Sequence, residues 1–143
     1  MTEYKTILVV VDLSEDSALV VQRAKSIAAQ FSAKLTLLHV VEYVPVEPMG
    51  EALLPTVQIE EELVARARAR MAELAVSQGL QSAEQLIETG GIKTEIVRTA
   101  QRVHADLIVM GSRERHGLGI LINLTEDTVL HAAPCDVLAV RLH

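Results

Sequence analysis

The chain has 143 residues, a formal charge of −6, half of its residues apolar and under a quarter charged. That is enough for one self-sufficient aliphatic core, and it argues against a disordered chain. One Phe, two Tyr and no Trp leave few rings for base stacking, and the acidic balance removes the electrostatic basis for nucleic-acid binding. The lone Cys135 excludes an intrachain disulfide. No apolar run is long enough to span a bilayer and no leader pattern opens the chain, so a soluble, cytoplasmic protein is expected.

Ile7 to Val11 reads as a buried strand ending at Asp12. Ser14 has the chemistry of a helix N-cap, and Glu15 and Asp16 suit a positive helix start. Leu19, Ala24, Ile27, Ala28 and Phe31 then recur at helical spacing. Lys34 to Val41 is a second strand. Its His39 reads as a packed or hydrogen-bonded residue.

Three prolines and a glycine between Glu42 and Pro55 predict an irregular loop, either a partner surface or a lid. A helix follows from about Val57, ending at Gly79 as C-cap. Its Arg66, Arg68 and Arg70 point about 100° apart in succession and so form a solvated face, not an anion site. Ala83 to Glu88 is a weak third strand and Gly90-Gly91 a turn. Ile92 to His104 is a helix with Ile92, Ile96, Val97, Ala100 and Val103 inward.

Leu107 to Met110 is a wholly apolar strand stopping at Gly111. A loop of small, basic and polar residues follows, then a helix over about 120–132. Strand, glycine loop and helix together offer backbone N–H groups to an anion. Gly111 is either a steric necessity at a tight strand exit or a ligand contact. Pro134 stops the last helix, Cys135 reads as a small buried hydrophobe, and Val137 to Leu142 is the fifth strand.

Alternating strands and helices imply right-handed crossovers and a five-stranded open parallel sheet flanked by helices, in the flavodoxin-like family of orders. The ligand crevice of such a sheet lies at the strands' carboxyl ends, where the order reverses. Asp12, Val40 and Gly111 converge there. A fifth strand at the sheet edge leaves backbone groups that antiparallel pairing with a second copy would satisfy. No nucleophile–base pair, paired carboxylates or metal-ligand spacing points to turnover.

Four segments in order, Ile7-Leu-Val-Val-Val-Asp-Leu-Ser14, Ala33-Lys-Leu-Thr-Leu-Leu-His-Val40, Ala105-Asp-Leu-Ile-Val-Met-Gly-Ser112 and Ala133-Pro-Cys-Asp-Val-Leu-Ala-Val-Arg141, give the chain a resemblance to the universal stress protein family. The resemblance covers nearly the whole chain and implies a single domain of adenine nucleotide alpha hydrolase-like fold, usually homodimeric. Many members bind ATP through Gly, two residues, Gly, nine residues, Gly and then Ser or Thr. Laid on this chain, that pattern places Gly111 first, Glu114 second, Leu124 third and Thr125 at the hydroxyl.

Two of the three glycines are therefore replaced. Leu124 adds bulk where a phosphate would rest. At ~4 Å and an effective dielectric of ~20, Glu114 would repel a phosphate charge by about 4 kcal/mol, less where solvent reaches it. Arg113 and Arg115 flank the acid and oppose that repulsion. The resemblance further implies that Asp12 lies near a ribose and Val40 packs on adenine, and that a branch without the glycine motif binds no ATP.

Two readings stay open from the sequence. One is a non-enzymatic stress-response homodimer, paired through Val137 to Leu142, with a degenerate nucleotide site and no cofactor. The other is a sensor whose 111–125 loop is ordered by ATP or another adenine nucleotide. A slow hydrolase is a weaker third.

Overall fold

A computed structural model describes residues 3–42, 53–113 and 129–142. Its strands are β1 (Thr6–Val10), β2 (Lys34–Val41), β3 (Glu84–Thr89), β4 (Leu107–Arg113) and β5 (Asp136–Leu142). The helices are α1 (Ser17–Phe31), α2 (Leu53–Ser77) and α3 (Ile92–Arg102). Residues 129–132 are also helical.

All strand pairings are parallel, and the sheet runs β3-β2-β1-β4-β5. This is the expected five-stranded open sheet. Its order is that of the dinucleotide-binding folds, 3-2-1-4-5, where flavodoxin itself runs 2-1-3-4-5. The reversal falls between β1 and β4, with Val10 beside Met110.

Period-two alternation assigns the two faces. Ile7, Val9, Leu107 and Val109 pack with Val21, Ala24 and Ala28 of α1 and Met71 and Ala75 of α2. Leu8, Ile108 and Met110 pack on the other side with Ile96 and Ala100 of α3 and with Val129. Both faces are covered, which is why β1 and β4 carry no polar alternation.

Local chemistry moves several predicted boundaries. Ser14 does not cap α1: the helix starts at Ser17, and the residue at its cap position, Asp16, makes no side-chain cap bond. Leu13 takes a left-handed φ of 62° and diverts the chain for one turn before the helix begins. Leu19 and Phe31 keep the helical spacing but stand 52% and 38% exposed. Helix α2 begins at Leu53, so Pro55 sits in its first turn, where a missing N–H costs nothing. Predicted irregularity therefore applied beyond the true loop limit, and residues 43–52 of that segment lie outside the described residues. Arg66, Arg68 and Arg70 are exposed as expected.

The turns that follow α1, α2 and α3 each use one left-handed residue. These are Ser32, Gly79 and His104, with φ of 56°, 70° and 56°. The N–H of the following residue reaches back five positions in each: Ala33 to Ala28 O, Leu80 to Ala75 O and Ala105 to Ala100 O. These are Schellman closures, which satisfy orphan carbonyls and drop an apolar residue onto the core.

At the sheet's amino end, Asp106 ties β4 to β1. Its Oδ2 accepts the Lys5 and Thr6 N–H groups at 2.8 and 2.9 Å. Those bonds, Thr6 first, hold the carboxyl below its ordinary range. The carboxylate therefore contributes stability above its unfolded pKa of about 3.9, and the contribution is lost as pH falls through the depressed folded value. Asp106→Asn is expected to unfold at lower denaturant than the parent near neutral pH and to converge on it in acid. Denaturant titrations across that range check this, and an offset independent of pH contradicts it.

Candidate functional site

β2, β1 and β4 are neighbours in the sheet, so their carboxyl ends bring Val40, Asp12 and Gly111 together as expected. Val40 is buried and faces the α3 side with Met110 and Ile96. Asp12 is exposed and lies beyond β1, whose last tie is the Val11 N–H to Leu38 O at 2.9 Å.

The Asp12 carboxylate has work within the chain. Its Oδ1 accepts the Ser14 N–H at 2.9 Å and the Ser17 hydroxyl at 3.1 Å. Ser17 is buried at the start of α1, so Asp12 ties the strand exit to the first residue of the helix through its hydroxyl. An Asp held two residues before the N–H it binds forms an Asx turn, which fits the left-handed Leu13 between them. The Ser14 hydroxyl is left buried without a hydrogen-bond partner. Among the described residues it is a buried polar group at this strand end with unspent capacity.

His39 was read as a hydrogen-bonded residue and is one. Its Nδ1 lies 2.8 Å from the Val11 carbonyl oxygen and donates to it in the matching tautomer. That bond braces the same strand exit from the β2 side.

Gly111 corrects the predicted strand limit. β4 does not stop there but runs to Arg113, and Gly111 pairs in register with Val140 of β5. A Cβ on Gly111 would stand 2.6 Å from Leu142 Cδ1 and 3.3 Å from Val20 Cγ2. The geometry supports the reading of steric necessity, because Leu142 and α1 lie where a side chain would go; it does not bear on ligand contact.

Arg113 ends β4 beside Leu142. Its side chain, and the predicted site residues Glu114, Leu124 and Thr125, lie outside the described residues, as does most of the predicted 120–132 helix. Cys135 is half-buried against the α3-side core, and burial pushes its thiol up from its ordinary value. Sequence reasoning missed Ser17 as the partner of Asp12. It also missed Glu95, which α3 buries beside Gly90 and pairs with Arg98 at 3.1 Å. An acid three residues before an arginine on a helix was the available signal for that pair.

The described part of this crevice brings together groups of the kind expected at an adenosine end, although Val40 and the Ser14 hydroxyl are both buried. Val40 offers apolar surface, Asp12 an exposed carboxylate and Ser14 an unpartnered hydroxyl. The space on the Cβ side of Gly111 is filled from within the chain, by Leu142 and Val20.

Comparison with known proteins agrees with this architecture. The sequence model of the universal stress protein family matches residues 3–141. Universal stress protein A homolog 2 of Coxiella burnetii is 37% identical over 99% of this chain and 98% of its own length. Homolog 1 of the same organism is 38% identical over 96% of each. Universal stress protein UspA from Lactobacillus plantarum superposes with a TM-score of 0.80 at 28% identity, covering 99% of this chain and 100% of that one. A universal stress protein solved in complex with cAMP gives a TM-score of 0.71 at 28% identity, covering 97% and 98%.

Gly111→Ala is expected to destabilise the fold by about 1–3 kcal/mol through overpacking. Combined with Leu142→Ala, it should cost less than the sum of the two single changes. A double-mutant cycle in denaturant measures the coupling, and additivity within about 0.5 kcal/mol contradicts the contact.

Proposed function

Because the chain belongs to the universal stress protein family, we propose that it is a non-enzymatic, cytoplasmic stress-response regulator acting through protein contacts. It pairs with a second copy through β5 and carries a nucleotide crevice that no longer holds a triphosphate. The observation that carries this reading is Gly111. In this chain the surviving motif glycine serves the β4–β5–α1 packing, so its presence is no evidence of phosphate binding. The other two glycine positions are Glu114 and Leu124, which oppose phosphate by charge and by bulk.

Pairing through β5 is supported by its place at the sheet edge, with Ala139 exposed at the strand's centre. Two antiparallel copies would satisfy each other's open N–H and C=O groups. Ala139→Arg places a charge at the centre of that edge strand and is expected to convert a dimer to a monomer in sedimentation velocity. An unchanged sedimentation coefficient places the interface elsewhere.

A second reading is favoured by the relative solved with cAMP. A ligand with one phosphate carries less charge into the neighbourhood of Glu114, while the adenosine end keeps Val40, Asp12 and Ser14. The reading is then a sensor for a lightly charged adenine nucleotide.

Calorimetric titration of nucleotide-stripped protein separates the two. Magnesium ATP is expected to give no saturable heat at millimolar concentration. Glu114→Gly with Leu124→Gly should restore binding if the remaining walls are intact. Micromolar binding of ATP by the parent overturns the first reading, and micromolar binding of cAMP alone selects the second.

A further inference from the structure

Among the described residues, a groove of about 660 Å³ opens at the opposite end of the sheet from the nucleotide crevice. Ile27 and Phe31 of α1, Leu130 and Leu138 give it apolar walls, and Tyr4 and Asp136 give it a polar end. Phe31 and Leu130 remain 38% and 57% exposed there. Tyr4 meets Phe31 edge-to-face, with ring centroids 5.3 Å apart, and its hydroxyl donates to Asp136 Oδ2 at 2.8 Å. The groove thus has a fixed aromatic corner and an oriented carboxylate, and among the described residues no lysine or arginine lines it.

Its floor includes the start of β5, an edge strand with backbone groups to offer. Extended peptides are recognised on such edges by main-chain hydrogen bonds, while alternate side chains enter neighbouring pockets. The charge decides what those side chains are. A second copy paired through β5 cannot neutralise Asp136 with that strand's one basic residue, Arg141. Antiparallel pairing about a two-fold axis keeps each sheet face continuous, so only residues of like parity stand opposite one another. Asp136 shares its face with Leu138, Val140 and Leu142, which pack on the α1 side. Arg141 belongs to the other face in either copy.

We propose that the β5 edge and this groove bind an extended segment of a partner protein, with a basic side chain on Asp136 and an apolar side chain two residues away between Ile27, Phe31 and Leu138. The inference rests on the reading of protein contacts given above, and deepens it by naming the partner's chemistry. Self-pairing through β5 and the partner segment compete for one strand edge.

The test uses a labelled, end-capped seven-residue peptide in which Lys, Leu and Val alternate with Thr. A second peptide carries Glu in place of Lys. In fluorescence anisotropy the Lys peptide is expected to bind about fivefold or more tightly than the Glu peptide. Asp136→Lys should reverse that order and leave self-pairing intact, since Asp136 makes no cross-copy ion pair with Arg141. Equal binding of the two peptides overturns the proposal. So does an unaltered preference in Asp136→Lys, or exclusion of the Lys peptide at millimolar excess, which would leave the edge to a second copy alone. Sedimentation velocity on the same samples reports self-pairing independently. A monomer that prefers the Lys peptide upholds the partner segment and removes the dimer; a dimer closed to the peptide does the reverse.

Discussion

The parallel pairing of β1 with β4 is the constraint on which the molecule depends. These two strands are adjacent in the sheet but distant in the chain, with Val10 beside Met110. From β1 the chain winds outward through α1, β2, α2 and β3, placing α1 and α2 on one face. It then returns across the sheet and winds the other way, placing α3 and residues 129–132 on the opposite face. Every other feature follows from that reversal. The central strands are covered on both sides and must be apolar throughout. The crossover connections diverge above β1 and β4, leaving a crevice there. β3 and β5 become the edges.

Most of this was legible in the sequence because apolar periodicity is strongest where burial is most complete. The Ile7 to Val11 and Leu107 to Met110 runs read as buried strands, and the structure places them at the centre of the sheet. The turns were less legible. Gly79 announced its left-handed conformation, but Ser32 and His104 adopt the same one with ordinary side chains. There the hydrogen bond back to Ala28 or Ala100 and the burial that follows outweigh a modest backbone preference. Ser14 was misread for a related reason. Capping chemistry was present close to the right place in the chain, but the Ser14 N–H is held by Asp12 and the helix starts at Ser17.

The candidate site was legible as a location more than as a set of roles. Strand order alone brings Asp12, Val40 and Gly111 together, and no local signal is needed for that. What each residue does depends on contacts formed across many positions of sequence. The space beside Gly111 is filled by Leu142, thirty-one positions away in the numbering and one strand away in the sheet. A glycine retained for packing and a glycine retained for phosphate are identical in sequence. They separate only when the volume a Cβ would take is known to be occupied.

That same contact gives the two ends of the proposed function a physical connection. Gly111 is part of the crevice strand, while Leu142 is part of the edge strand that would meet a partner. Val20 of α1 closes the space from the third side. Close-packed neighbours leave no void to absorb a shift. A ligand that displaced β4 at Gly111 would therefore displace Leu142 or α1 as well. Regulation through this route requires the ligand to favour one of two arrangements of β5 over the other. Tight binding alone would not supply it. The packing joins the crevice strand to β5, and β5 is also the strand edge at which this chain has backbone groups to offer another protein.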